Sequence, residues 1–141
     1  MSGTDNRITG GSSMLDVVNP KNVHKPASRY AHAVRIPTGG ERLVISGQVG
    51  ISPEGQIRKG LEMQAEQCWA NILEILECQG FGPADLVKVT TFCTVPGQVA
   101  VIRPIRDRAM DGNLCAHTYL EVSGLASPDF LIEIEAEAVR F

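Results

Sequence analysis

Aromatic residues make up only 5% of this 141-residue chain, with one tryptophan and two tyrosines among them. No segment interleaves aromatic with basic side chains, the arrangement that stacks bases while neutralising phosphates. Neither sign of charge is in excess. A net charge of −3 and an isoelectric point near 5.6 supply no overall field that would gather nucleic acid or an anionic membrane surface. Nucleic acid is therefore not an expected partner. Long apolar runs are missing too: nothing approaches the roughly 18 to 20 unbroken apolar residues of a membrane-spanning helix. The opening residues, Met1-Ser2-Gly3-Thr4-Asp5-Asn6-Arg7, lack the charged start and apolar centre of a signal peptide, so the expected location is the cytoplasm.

Cysteine is sparse. Cys68, Cys78, Cys93 and Cys115 form no CxxC pair and fall in segments that read as helix or strand, which points to reduced thiols rather than a disulfide frame. Phosphate cradles of the GxGxxG or GxxxxGK[ST] kind are absent. So are internal repeats at periods of about 20 to 50 residues, which excludes solenoids and propellers.

What remains is an ordinary globular composition, 43% hydrophobic and 21% charged, in a chain sized for one domain. Residues 1–16, rich in Gly, Ser, Thr and Asn and without periodicity, read as a flexible lead-in to a single domain over 17–141. Two short apolar runs, His32 to Ile36 and Arg42 to Gln48, flank Pro37-Thr38-Gly39-Gly40-Glu41, a spacer of the length that closes a β-hairpin. The second run passes into Ser46-Gly47-Gln48-Val49-Gly50, where glycine marks a bulge or a close approach.

Leu61, Ala65, Cys68, Trp69, Ile72, Leu73 and Leu76 recur at helical spacing and predict a helix over 60–79 with one buried face, ended by Gly80. Cys68 and Trp69 share that stripe and read as core. A strand over 85–95 follows. A second helix over 97–110 carries Pro104, which should kink or delay it. Strands over 115–122 and 130–139 complete the order ββαβαββ, which predicts an α+β fold: one mixed sheet with two helices packed on one face. The other face then needs a cover, and in so short a chain the economical cover is another copy of itself.

The last strand alternates Glu133, Glu135 and Glu137 with Ile132, Ile134, Ala136 and Ala138. All three carboxylates therefore share one face, which is either solvated or part of a site.

Four pieces, Ser28-Arg29-Tyr30, Ser46-Gly47-Gln48, Ala116-His117-Thr118 and Ile132-Glu133-Ile134-Glu135-Ala136, stand in an order and spacing that resembles the Rid (YjgF/YER057c/UK114) family. The helix ending at Gly80 and the segment from Asp85 to Thr90 agree, and the resemblance covers about 18–141. Its best-known members are enamine and imine deaminases. The resemblance implies a chorismate-mutase-like fold and a homotrimer whose sheets close into a central barrel, with ligand sites between subunits. It also implies hydrolysis of a small imino or enamino acid to a keto acid and ammonia, without metal or organic cofactor.

Position by position, the resemblance makes Glu133 the carboxylate that holds or activates water, a role suited to a group that takes and returns protons. Tyr30 matches a tyrosine lining the cleft, and Ser46 and Gly47 match the family's site segment. His117 departs from the pattern: deaminating members carry an arginine here that clamps the substrate carboxylate, a fork no imidazole reproduces. Tyr119, on the same strand face, stands where archetypal members have a cysteine.

Three explanations of His117 stay open. The substrate is atypical or larger, such as a 2-aminomuconate-like compound; or a second arginine, Arg29 or Arg103, supplies the charge; or the site binds a small anionic metabolite without turning it over. The function expected is thus an imine or enamine deaminase, with a non-catalytic metabolite-binding or regulatory protein as the alternative and an RNA-cleaving one as a remote third. Cys115 and His117 on one strand face invite a nucleophile or metal reading, but no second Cys/His pair stands at zinc spacing. Arg103, Arg106 and Arg108 form a small basic cluster on the second helix that reads as a solvated face or a salt-bridged trimer edge.

Overall fold

The computed structural model describes residues 15–141 and the backbone of residues 3–7. Four strands, β4 (Glu41–Val49), β5 (Leu86–Cys93), β6 (Ala116–Glu121) and β7 (Ile132–Arg140), form one sheet in the order β4-β7-β5-β6. β5 and β6 run parallel, and the other pairs are antiparallel. Helices α1 (Leu61–Cys78) and α2 (Val99–Met110) cross over between strands. A smaller antiparallel sheet, in the order β1-β2-β3, joins β1 (Gly3–Arg7), β2 (Asp16–Pro20) and β3 (Ala33–Arg35). From β3 onward the order is the expected ββαβαββ, an α+β arrangement of two helices on a mixed sheet.

Period-two alternation decides which side chains face the helices. On β7, Ile132, Ile134, Ala136 and Ala138 are buried, while Glu133 and Glu137 are half-buried and Glu135 is exposed. Cross-strand register carries the alternation to the neighbours: Thr91 lies opposite Ile134 and Tyr119, whereas Phe92 lies opposite Glu133 and Leu120. His117 lies opposite the fully buried Val89. His117 and Tyr119 therefore face the helices, and Glu133 faces the other way.

Helix α1 presents Ala65, Cys68, Trp69, Ile72 and Leu76 to the sheet, and α2 adds Ile102, Ile105 and Met110. Each fully buried aliphatic side chain of this kind stabilises the fold by about 1.5–3 kcal/mol, and the paired stripes hold both helices on the same face. Gly80, with φ 79°, ends α1: its N–H reaches Glu77 O, and that of Phe81 reaches Leu76 O at 2.9 Å. Pro104 is accommodated inside α2. Gln64, 2% exposed, ties α1 to the entry of β7: its amide donates to the carbonyls of Arg58 and Asp129, and its carbonyl accepts from Leu131 N at 2.9 Å. Gly50 permits this packing, since a Cβ there would stand 2.6 Å from the Gln64 side chain.

One expectation is corrected. The runs around β3 and β4 do not form a hairpin: β3 pairs with β2, with Val17 opposite Val34, and β4 pairs with β7. Val34 packs with Leu15, Val87 and Val139 in a second small cluster, and this burial draws β3 away from β4. Gly3–Arg7 pairs with β2, and Leu15 is fully buried in that second cluster; residues 1, 2 and 8–14 lie outside the described residues. Among the described residues no helix is long and apolar enough to cross a membrane.

Candidate functional site

On the helix side of edge strand β6, a pocket of about 210 Å³ is lined by Ala27, Ser28, Tyr30, Val99, Ile102, Arg103, Arg106, His117 and Tyr119. Three elements build it. Strand β6 supplies His117 and Tyr119 from alternate positions on one face. Helix α2 supplies Val99, Ile102, Arg103 and Arg106, spaced i, i+3, i+4 and i+7 so that all turn the same way. The segment before β3 is held alongside β6 by the bond from Ala31 N to Cys115 O at 2.9 Å, which sets Tyr30 beside the strand.

His117 Nε2 and the hydroxyl of the buried Thr91 are hydrogen-bonded at 3.2 Å. Burial pushes the imidazole from its ordinary 6.5 down to about 3; the positive charges of Arg106 and then Lys88 add to the effect, and Asp107 opposes it. His117 is therefore a neutral ring at physiological pH, and the histidine does not replace the missing arginine's charge. The Tyr119 hydroxyl is enclosed and lies beside the Cys93 thiol, with no hydrogen-bond partner of good geometry among the described residues. Its pKa is raised, chiefly by burial, with the Cys93 thiol and the Glu121 carboxylate adding to the effect. The Tyr30 hydroxyl accepts from Ala27 N at 3.4 Å, and its ring meets that of His32 edge-on at 6.2 Å.

The buried cation of this pocket is one of the three arginines that the sequence reads as a solvated face or a salt-bridged trimer edge; it is salt-bridged, but not solvated. Arg106 is 6% exposed; its Nη2 lies 2.9 Å from Asp107 Oδ1, its Nε donates to the same oxygen at 3.0 Å, and Nη2 also reaches Ser28 Oγ at 3.5 Å. The missed signal was its place in the apolar stripe of α2 with Ile102, Ile105 and Met110, where a charge needs a reason. Arg103, one of the two arginines considered as a charge donor, lines the same pocket. Arg29, the other, lines a separate groove with Lys21, Lys25 and His32. Arg108 faces Glu66 on the surface.

Glu133 lies elsewhere. It projects from the opposite face of the sheet, between Val49 of β4 and Phe92 of β5. The pairing of β4 with β7 slips between Ile45 and Gln48, so Ser46 and Gly47 form a bulge. A Cβ at position 47 would collide with the Glu133 carboxylate. Gly47 thus makes room for that carboxylate against the backbone, while Ser46 is exposed and its carbonyl accepts from the Gln48 side chain at 3.2 Å. One chain therefore brings together Tyr30, His117 and Tyr119, and separately Glu133, Gly47 and Ser46.

The thiol reading of Cys115 is not supported. The side chain is buried and donates to Ala116 O at 3.4 Å, and burial pushes its pKa up to about 12, so no thiolate forms near neutrality.

The family model described as endoribonuclease L-PSP matches residues 21–140. A RutC family protein of Pyrococcus horikoshii is 34% identical over 129 residues, covering 90% of this chain and 99% of its own. The 2-iminobutanoate/2-iminopropanoate deaminase of Escherichia coli is 30% identical over 131 residues, covering 90% and 99%. Among solved structures, the Rid family protein YyfB of Yersinia pestis superimposes with a TM-score of 0.79 at 32% identity, covering 89% of this chain and 98% of that one. The matching of almost the whole domain in sequence and in fold shows that the chain belongs to the Rid (YjgF/YER057c/UK114) family.

Proposed function

We propose that this protein hydrolyses a small 2-imino or enamino acid to the 2-keto acid and ammonia, and that it does so as a homotrimer with its sites between subunits. The observation that carries the reading is the separation of the two half-sites. The pocket of Tyr30, His117 and Tyr119 lies on the helix side of the sheet, whereas Glu133 rests on Gly47 on the open side. A single sheet cannot fold these onto one substrate, but a second copy docked on the first can present its Glu133 to the first copy's pocket. The open face is suited to such a partner: Val44 of β4 is 66% exposed, and Leu120 of β6 is 44% exposed.

In the proposed reaction, Glu133 accepts a proton from water as the water oxygen bonds to the imine carbon. Glu133 returns that proton to the imine nitrogen as the C=N π pair moves onto it, giving a neutral carbinolamine. The Glu133 carboxylate then takes the proton of the carbinolamine hydroxyl and delivers it to the amine as the C–N bond breaks, leaving a carbonyl and ammonia. The net change is the addition of one water and the loss of one ammonia. Water, one carboxylate and a walled pocket suffice for these steps. The deaminase activity named for the Escherichia coli relative supports the same chemistry.

The test is ammonia release from freshly generated 2-iminobutanoate. The wild-type protein should exceed the buffer rate, and Glu133→Gln should remove that excess, a loss of about 10²–10⁴-fold for a positioned acid–base group. His117 in place of arginine favours the second reading, a metabolite-binding protein without turnover; ligand protection across a panel of imino acids with no ammonia released would establish it instead. A monomeric mass by light scattering would sink the proposed assembly.

A further inference from the structure

We propose that the substrate carboxylate is bound from helix α2, by Arg106 with Arg103 beside it, rather than from position 117 of strand β6. This deepens the reading of the pocket as a receiver of small 2-imino acids and rests on it. Arg106 carries a fixed charge into a nearly closed environment, its side chain only 7% exposed, with a single carboxylate for company. That carboxylate, on Asp107, is itself partly open to solvent at 33%, and it engages Nε and Nη2 through one oxygen. Among the described residues Nε and Nη2 are engaged and Nη1 is not, and no atom of Arg106 is both enclosed and unpaired. A guanidinium that lines the pocket with a donor left over can take a second planar carboxylate, the group whose geometry matches its fork.

Arg103 lies one helical turn before Arg106, lines the same pocket and has no ion-pair partner among the described residues. The other polar groups facing the space are neutral. His117 has Nε2 committed to Thr91, and a proton added to its ring would meet the charges of Arg106 and Lys88. The enclosed Tyr119 hydroxyl and the Ser28 hydroxyl offer hydrogen bonds only.

Two guanidiniums against one Asp107 carboxylate leave room for one further negative charge. Val99, Ile102 and the Tyr30 ring form the apolar wall. The part of the site walled by one chain holds about 210 Å³. A ligand with a second carboxylate would meet no third cation among the residues lining it, so dicarboxylates of the 2-aminomuconate kind are disfavoured.

Calorimetric titration with 2-oxobutanoate, with 2-oxobutanamide as its neutral counterpart and 2-oxoglutarate as a dicarboxylate, tests the proposal. The acid should bind the wild-type protein better than either other probe. Arg106→Gln should weaken it about tenfold or more, and Arg103→Gln about two- to fivefold. Asp107→Asn, which frees the guanidinium, should tighten it. His117→Gln should change it less than Arg106→Gln does. If Arg106→Gln does not fold, Arg103→Gln and Asp107→Asn decide the matter, and unchanged affinity in both overturns the proposal. Equal binding of acid and amide, or of Arg106→Gln and wild type, also overturns it. Failure here and failure of the hydrolase reading are distinguishable. Turnover with an unaltered KM in Arg106→Gln defeats the carboxylate subsite alone, whereas Arg106-dependent binding of 2-oxobutanoate without any imine turnover defeats the hydrolase alone.

Discussion

The two faces of the four-stranded sheet differ in how much of their chemistry one chain completes. On the helix side, α2 and the segment before β3 wall in His117, Tyr119, Tyr30 and two arginines, so charge, hydrogen bonding and apolar surface converge within a single chain. On the open side, the half-buried Glu133 has a seat made by Gly47, and it shares the face with Lys88, Thr90, Glu135 and the exposed Val44 and Leu120. On the proposed reading, recognition and reaction belong to opposite surfaces. A division of that kind would need copies of the chain to meet, and it would let one half change while the other is kept. His117 falls in the proposed recognition half, and Glu133, Ser46 and Gly47 make up the proposed carboxylate half.

The sharpest way to break this comparison is subunit mixing. Glu133→Gln leaves the pocket intact, and Arg106→Gln leaves the carboxylate intact; with substrate well below KM the first assembly should be nearly inactive and the second about tenfold slower than wild type. If each site draws its pocket from one chain and Glu133 from the next, random reassembly of equal amounts makes about one site in four wild-type. Ammonia release at low substrate should therefore rise from about a twentieth to about a quarter of the wild-type rate on mixing and refolding. No recovery, with mixed trimers verified by mass, would show that both halves must come from one chain.

A smaller effect is expected at Gly47. Its φ is not in the left-handed region, so alanine is conformationally allowed, but the added Cβ would displace the flexible Glu133 carboxylate. Gly47→Ala should lower kcat by about tenfold or more while leaving the unfolding free energy within about 1 kcal/mol of wild type, since gain in chain stiffness offsets the local shift. Unchanged kcat would mean that the seat on residue 47 does not matter to the reaction.

The contrast between faces also explains what was legible in the sequence. Helix α1 was readable almost to the residue, expected over 60–79 and found over 61–78, because its stripe of Leu61, Ala65, Cys68, Trp69, Ile72 and Leu76 is long and periodic. β7 was readable from its alternating glutamates. The partner of β3 was not, since a turn-rich spacer reports only local geometry, while Val34 is drawn to Leu15 and Val139 by contacts distant in sequence. Strand β2, containing Asp16, Asn19 and Pro20, has little β propensity and gave no signal. Within the site, the strand positions of His117 and Glu133 were legible, but their opposite orientation follows only from the register of β5, β6 and β7. Arg106 was hidden among three arginines, and helical phase distinguishes it: with Ile102, Ile105 and Met110 it lies on the buried stripe, and Arg108 does not.

The smallest effect, and the one that tests the helix-side pocket without touching the reaction, is the pH response of His117. The folded protein keeps this imidazole neutral down to about pH 3, chiefly by burial, with Arg106 and Lys88 adding repulsion and Asp107 opposing them. The unfolded chain takes up the same proton near pH 6.5. Between those values the unfolded state binds more protons, so His117 favours unfolding progressively as pH falls. Its contribution to stability is full above about 6.5 and is lost on the way down to about 3. Wild-type protein should therefore lose more of its urea midpoint between pH 7 and pH 5 than His117→Gln, in which that proton has no site. Every other ionisable group is common to the two proteins and cancels in the difference. The KM for the imino acid should also stay flat from pH 6 to pH 8, because the charge that meets the carboxylate belongs to guanidiniums that do not titrate there. A His117 resonance titrating near pH 6.5 in the folded protein, or parallel losses of midpoint in the two proteins, would show that the pocket is wetter than its walls imply and would return the role of charge clamp to the histidine.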